Sequence, residues 1–223
     1  MPPPQQVSSV GDAFGPALER TWYARPAEAI AADLLGAVLR VTGRDGAVRA
    51  GRIVETEAYV GPHDLACHAA RGRTARTEAM FGPAGHAYVY LVYGLHELFN
   101  VVTGEAGDPQ AVLIRAIEPL ASRGPLGEVR GDGPGRLTRL LDVDRRHYGH
   151  PLDRPPLSLH PGRAPARIVR TPRIGVAYAG AWAAEPLRFV DAESAQLSVP
   201  LSRSSPAGNS SRGARRSSRT PST

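Results

Sequence analysis

The first regular pattern of apolar and polar positions follows Pro26. Ala27, Ile30 and Leu34 recur at the three- and four-residue spacing of one helix face. Proline is favoured at the start of a helix, and Gly36 is a typical helix stop. This stretch therefore predicts a short helix that buries one face.

Further along the chain, the apolar residues take the two-residue period of β-strands. Residues 37–41 and 47–60 flank the turn sequence TGRDG, which predicts a hairpin of two antiparallel strands. A second short helix is predicted within residues 135–143. The predicted fold class is α+β (mixed α/β), a single domain dominated by antiparallel pairing. Further strands are predicted at residues 86–93, 98–103, 111–118 and 173–178.

Charge is unevenly distributed along the chain. All 27 basic residues are arginine, and the formal net charge is +6. Five of these arginines and no acidic residue follow Leu201, so residues 1–201 carry six minus five, or +1. We expect a flexible leader (residues 1–20), a folded domain (21–198) and a disordered Ser/Arg-rich basic tail (199–223). The tail either binds polyanions non-specifically or is a solvated extension without function.

Several classes of protein are disfavoured by the composition. The longest dense apolar run, residues 87–95, is too short to span a bilayer as a helix, and the N-terminus lacks the pattern of a secretory signal. The single cysteine excludes an intrachain disulfide. We expect a cytoplasmic monomer with no membrane partner.

The predicted strand at 47–60 carries a cluster of chemically versatile side chains. Strand alternation places Ile53, Glu55, Glu57 and Tyr59 on one face. Two carboxylates beside a tyrosine, just before a Gly-Pro turn, are typical of a pocket floor. A solvated strand face with scattered charge explains the same pattern, so these residues alone leave both interpretations open.

A second cluster lies in the predicted strand 86–93. His86, Tyr88 and Tyr90 share one face, and Tyr88 is expected to pack within the sheet. Tyr93 lies on the other face, immediately before the expected turn. An exposed aromatic side chain at a hairpin tip is a candidate wedge for a stack of bases.

Other polar residues give weaker signals. Asn100 and Arg115 each interrupt an apolar run, so each is either a hydrogen-bonded structural residue or part of a site. His63 and His68 lack the spacing of a joint metal site on a helix, and Cys67 has no CxxC partner. No P-loop, dinucleotide fingerprint or nucleophile elbow is present. We therefore expect neither a metal nor a cofactor.

Five motifs resemble those of one enzyme family. They are GRIVETEAYVGPHDLACH, AYVYLVYGLHELFNVV, VLIRAIEP, GPGRL and RIGVAYAGAWAAEPLRF. Their order and approximate spacing resemble the alkyladenine type of 3-methyladenine DNA glycosylases over about residues 21–190. The resemblance implies a curved antiparallel sheet, open-barrel-like and flanked by helices. It also implies a bacterial-type, nucleoid-associated enzyme of base excision repair that acts on double-stranded DNA with a damaged purine.

The resemblance implies a catalytic group of three residues. Glu57 is similar to the family's carboxylate that activates the attacking water. Arg115 and the backbone carbonyl of Ile174 are similar to the groups that hold this water.

The resemblance also implies the residues that bind the base. Tyr59, His68 and Tyr90 are similar to the walls of the pocket that receives the flipped base. Asn100 is similar to the residue that guards the pocket floor against the exocyclic amine of guanine. Tyr93 resembles the residue that intercalates where the base has left the duplex.

The chain departs from the family pattern at two places, and two other functions remain open. Residues 121–133 are shorter than the family's usual Arg-rich segment, and Thr138 stands where the family has cysteine. One alternative is a catalytically silent nucleic-acid-binding module of the same fold. The other is a bifunctional glycosylase/lyase, which needs an amine. Since the chain has no lysine, only the N-terminal amine, exposed at Pro2 after removal of Met1, could serve.

Overall fold

The computed structural model describes residues 14–120 and 130–201. Two α-helices lie in this part of the chain, α1 (Ala27–Asp33) and α2 (Pro134–Leu141). Most of the predicted leader and nearly all of the predicted tail lie outside the described residues. The strands are β1 (Val38–Thr42), β2 (Val48–Tyr59), β3 (Ala87–Val92), β4 (His96–Thr103), β5 (Gln110–Pro119), β6 (Asp153–Arg154), β7 (Leu157–His160), β8 (Ile168–Thr171) and β9 (Arg188–Asp191).

These strands form one antiparallel sheet centred on β2. The order is β3-β4-β5-β2-β1-β7-β6, and β9 pairs with both β2 and β8. The register between β2 and β5 shifts twice between Ile53 and Thr56. Such a bulge bends a strand and increases its twist. Beyond it, β2 exchanges β1 for β9 as its neighbour. The α+β prediction of a single domain with a curved antiparallel sheet is confirmed.

Helix α1 packs its apolar face on the sheet, as its spacing predicted. Ile30 and Leu34 are fully buried, and the Thr56 hydroxyl donates to the Ala31 carbonyl at 2.7 Å. The chain then turns at Gly36, whose φ is +90°. A Cβ atom there would lie 2.1 Å from the carbonyl oxygen of Arg163, so the close approach of the two backbones requires glycine.

The predicted strand at residues 173–178 is wrong. Residues 173–176 form no strand, and a 3₁₀ segment follows at Ala177–Ala183. Gly175 has a φ of +77°, which is incompatible with an extended strand. Val176 and Ala179 instead pack with Ala66 in a small apolar cluster. The short strands β6 to β9 carry too few residues for the alternation pattern to reveal them.

The helices of the described segments, 14–120 and 130–201, include none with the length and apolar character needed to cross a membrane.

Candidate active site

A cavity of about 770 Å³ lies against the sheet, lined by β2 to β5 and by loops from both halves of the chain. Seven of the eight site residues predicted from the sequence line it, namely Tyr59, His68, Tyr90, Tyr93, Asn100, Arg115 and Ile174. The eighth, Glu57, is fully buried. The tertiary structure therefore brings together residues that are up to 117 positions apart.

The carboxylate of Glu57 lies directly behind the cavity wall. One oxygen accepts the backbone N–H of Ile174 at 2.7 Å. The other accepts the Tyr59 hydroxyl at 3.0 Å and lies 3.2 Å from a guanidinium nitrogen of Arg115. All three partners line the cavity. The alternative of a solvated strand face is wrong, because this carboxylate is buried and its donors hold it in one orientation.

Glu55 has a different role from Glu57, although it is equally buried. Its oxygens accept Arg115 Nε at 3.1 Å, Arg188 Nε at 2.7 Å, and both the hydroxyl and the N–H of Ser198 at 2.6 Å. These donors tie β2 to β5, to β9 and to the segment that follows β9. Glu55 therefore anchors Arg115 through Nε, whereas Glu57 contacts a different guanidinium nitrogen.

Ile53 does not share the face of the two carboxylates, contrary to the prediction from strict alternation. It is buried in the main apolar cluster with Ala58, whereas Glu55 and Glu57 contact Arg115. The bulge between Ile53 and Thr56 breaks the two-residue period at this point.

Tyr59 is held by an ion pair that the sequence analysis did not identify. Arg173 contacts Asp64 at 2.5 and 2.8 Å, both side chains are fully buried, and the guanidinium carbon lies 4.8 Å from the centre of the Tyr59 ring. Burial, with the charge of Glu57, raises the pKa of the Tyr59 phenol well above its usual value. The phenol is thus neutral near pH 7 and can donate to Glu57.

His68 and two tyrosines form an aromatic wall. The His68 ring lies edge-on to Tyr90 at 4.7 Å, and its Nδ1 is 2.9 Å from the Tyr88 hydroxyl. Burial, helped by the charges of Arg76 and Arg71, lowers the pKa of His68 to about 4. The imidazole is therefore uncharged near pH 7.

Tyr88 is buried in the sheet, as predicted, and its ring centre lies 5.2 Å from that of Tyr90. His86, which was predicted to share their face, does not line the cavity. It precedes β3 and its ring contacts the carbonyl of Pro83. Burial raises the pKa of the Tyr88 phenol to about 12.

Asn100 is a buried residue whose side-chain amide is hydrogen-bonded, and it also lines the cavity. It lies opposite Tyr88 in the β3–β4 pairing. Its Nδ2 donates to the Tyr88 carbonyl at 3.0 Å. The side-chain amide thus has a fixed position in the cavity wall.

Tyr93 projects from the tip of the β3–β4 hairpin and is 92% exposed. Tyr93 and Gly94 have φ values of 53° and 70°, and the N–H of Leu95 donates to the Val92 carbonyl. Positive φ at two successive residues is typical of tight hairpin turns. The side chain is exposed because the turn points it away from the sheet. Tyr178 and Leu65, which the sequence analysis missed, are exposed at the same cavity.

Within the residues that the structure describes, no group of three His, Cys, Asp or Glu side chains could hold a metal ion. Cys67 lines the cavity, but burial raises the pKa of its thiol to about 11. The thiol is therefore protonated near neutral pH and is a weak nucleophile.

Comparison with known proteins identifies the family. Residues 21–195 match the family model described as methylpurine-DNA glycosylase. Relatives that carry the name "Putative 3-methyladenine DNA glycosylase" include the following two. The one from Myxococcus xanthus (strain DK1622) is 56% identical over 174 residues, 77% of this chain and 88% of the relative. The one from Anaeromyxobacter dehalogenans (strain 2CP-C) is 50% identical over 186 residues, 82% of this chain and 87% of the relative. The chain belongs to the methylpurine-DNA glycosylase family.

Proposed function

We propose that this protein is a monofunctional DNA glycosylase acting as a monomer on double-stranded DNA. It flips an alkylated or deaminated purine into the cavity and hydrolyses the N-glycosidic bond with a water activated by Glu57. The observation that carries this proposal is a buried carboxylate held by Tyr59, Arg115 and Ile174 directly behind a cavity with an aromatic wall. The names of the relatives support the same substrate class.

The aromatic wall suits an electron-poor base. A purine such as 3-methyladenine is cationic, and a cation over a tyrosine ring gains about 0.5–2 kcal/mol depending on its solvation. Tyr59 and Tyr90 supply such rings. His68 is neutral near pH 7, so it adds an aromatic edge without repelling a cationic base.

Hydrolysis of a cationic alkylated purine needs only a positioned water and a general base, because the purine leaves as a neutral molecule. A neutral deaminated purine must also take up a proton from solvent as it leaves. Arg115 and the backbone carbonyl of Ile174 hold the water in the proposed mechanism, and Glu57 accepts its proton as the oxygen attacks the anomeric carbon. The bond to the purine breaks and its electron pair neutralises the cationic base. General base catalysis of this type typically contributes ~10²–10⁴ in rate.

Flipping and selection use the remaining predicted residues. Extruding a base costs a few kcal/mol, less for a damaged base that pairs badly. Tyr93 enters the gap in the duplex, and its exposure leaves the ring free to do so. Asn100, whose amide is fixed by the Tyr88 carbonyl, rejects the exocyclic amine of guanine.

The two alternatives lack such support. A silent binding module would have no use for the buried group of Glu55, Glu57 and Arg115, because burying charges has a desolvation cost. A lyase needs an amine nucleophile, and the chain has no lysine. Pro2, the other candidate, lies outside the described residues.

The test is single-turnover release of 3-methyladenine from a methylated duplex by wild type, Glu57→Gln and Glu55→Gln. Glu57→Gln should abolish release and keep lesion-duplex affinity, because it removes the proton acceptor but little volume. Glu55→Gln is the matched control. Since it leaves Arg188 without a carboxylate partner and Arg115 with Glu57 alone, it should lower the free energy of unfolding by about 3–5 kcal/mol but retain excision where folded. An active Glu57→Gln, or a folded but inactive Glu55→Gln, would contradict the assignment.

A further inference from the structure

Arg76 already places a positive charge against the aromatic wall. Its guanidinium carbon lies 4.9 Å from the centre of the Tyr90 ring, and the side chain lines the cavity. This distance is within the range of a cation–π interaction. One of the rings proposed to hold a cationic base therefore contacts a cation of the protein.

The charge of Arg76 acts on the whole wall. Burial dominates the pKa shifts of His68, Tyr88 and Tyr90, and in each case the charge of Arg76 lowers the pKa. Among the described residues, no carboxylate forms a salt bridge with Arg76, whereas nearby Arg73 pairs with Glu78. The positive charge of Arg76 is thus not neutralised by a neighbour.

We propose that Arg76 is a specificity-determining residue that disfavours cationic purines relative to neutral ones. This inference rests on the proposed function. A cation on a ring weakens the attraction of that ring for a second cation, and like charges at such distances repel each other. A neutral base such as hypoxanthine meets neither penalty. A cationic base has to displace Arg76 or bind beside it.

The test compares two lesions with each variant. Each protein is assayed at subsaturating enzyme, and the excision rate is divided by the enzyme concentration. One substrate is a methylated duplex that releases 3-methyladenine. The other is a duplex of the same sequence that releases hypoxanthine. In Arg76→Gln, the ratio of the 3-methyladenine rate to the hypoxanthine rate should rise about 2- to 30-fold, the size of one cation–π interaction. Arg76→Lys, which keeps the charge, should stay near the wild-type ratio. Arg73→Gln is the control for loss of a nearby cation that does not line the cavity.

The ratio separates this role from the other roles open to an exposed arginine. If Arg76 only contacts phosphate, Arg76→Gln slows both reactions equally, and the unchanged ratio overturns the inference. A lower ratio overturns it too, because Arg76 would then favour the cationic base. Wild-type protein that releases neither base would contradict the proposed function itself.

Discussion

His68 and Tyr59 show how burial decides the chemistry of single residues at this site. Burial lowers the pKa of the imidazole to about 4 and raises that of the phenol, so each side chain stays uncharged over a wider pH range. Glu55 and Glu57 are two positions apart in one strand but receive different donors. Residue type alone does not separate an anchoring carboxylate from one beside a cavity.

The shifted pKa of His68 predicts a pH dependence of stability. The folded imidazole titrates at about 4, whereas an unperturbed histidine titrates at 6.5. Between these values the unfolded chain binds the proton and the folded protein does not, so stability falls as pH decreases from about 6.5 to about 4. Denaturant unfolding at a series of pH values measures this slope. His68→Phe, which keeps an aromatic ring without titration, should reduce it.

Two features make this measurement interpretable. The buried His147 also has a pKa lowered by burial, so part of the slope should persist in the variant. Burial alone would raise the pKa of Asp144, but hydrogen bonds from its arginine partners lower it to about 2. The stability that this carboxylate contributes is therefore lost only as the pH falls below its unfolded-state pKa of 3.8, outside this window. Identical slopes for wild type and His68→Phe would show that His68 is not the titrating group.

At the scale of the element, the segment after β9 completes the site. The family match ends at residue 195. Ser198 lies just beyond it, yet its hydroxyl and N–H both donate to Glu55 at 2.6 Å. Arg188 donates to the Val199 carbonyl. This segment therefore supplies donors to Glu55, which in turn holds Arg115.

Ser198→Ala should lower the free energy of unfolding by about 1.5–3 kcal/mol, the range for a hydrogen bond to a charged group. The reason is that the fully buried Glu55 loses one hydrogen-bond donor while its arginine partners stay. Urea unfolding measures the loss. Ser194→Ala is the control, since the Ser194 hydroxyl donates at the same 2.6 Å to Glu118, a carboxylate that is 33% exposed. Equal effects of the two variants would contradict a special role for Ser198.

The β3–β4 hairpin makes a second prediction. Tyr93→Ser should weaken binding to a lesion duplex by roughly 1–3 kcal/mol, the scale of one base–aromatic stack. The unfolding midpoint should not change, because the side chain is 92% exposed. Fluorescence anisotropy with a labelled duplex measures the affinity. Tyr178→Ser is the control, because it removes another exposed aromatic residue at the same cavity. An equal loss of duplex affinity in that variant would show that Tyr93 is one contact among several and not the intercalating residue.

At the scale of the whole molecule, the charge and the chemistry lie in different parts of the chain. Residues 1–201 carry a net charge of +1, and the five arginines of residues 202–223 supply the rest. These five lie outside the described residues, and the chemistry proposed here is assigned to residues between 57 and 174. DNA affinity and excision should therefore be separable.

Deleting residues 202–223 should reduce the salt dependence of duplex binding without changing chemistry. Each neutralised phosphate contributes about −0.9 to the slope of log K against log salt, so the slope should flatten by up to roughly 4 units. A full-length variant with the five arginines changed to glutamine is the control for charge alone. A salt titration with equal slopes would make the tail inert, and a lost single-turnover rate would make it part of the site.

Local patterns determined much of this protein. The spacing of Ala27, Ile30 and Leu34 predicts α1, and two-residue alternation predicts β1 to β5, because helix and strand periods are properties of short segments. The residues predicted to form the site follow from sequence motifs, and all but Glu57 line one cavity. Residues 173–178 mark the limit, since Gly175 and buried Arg173 outweigh a strand-like pattern.

Only the tertiary structure decided which partners each buried charge receives. Glu57 meets the N–H of Ile174 across 117 positions, and Glu55 meets Ser198 across 143. Such pairings depend on how the sheet curves at the bulge in β2, which shifts the register and separates Ile53 from the carboxylates. The physical reason is that a buried charge must find donors in space, and no local period of the chain specifies which distant segment supplies them.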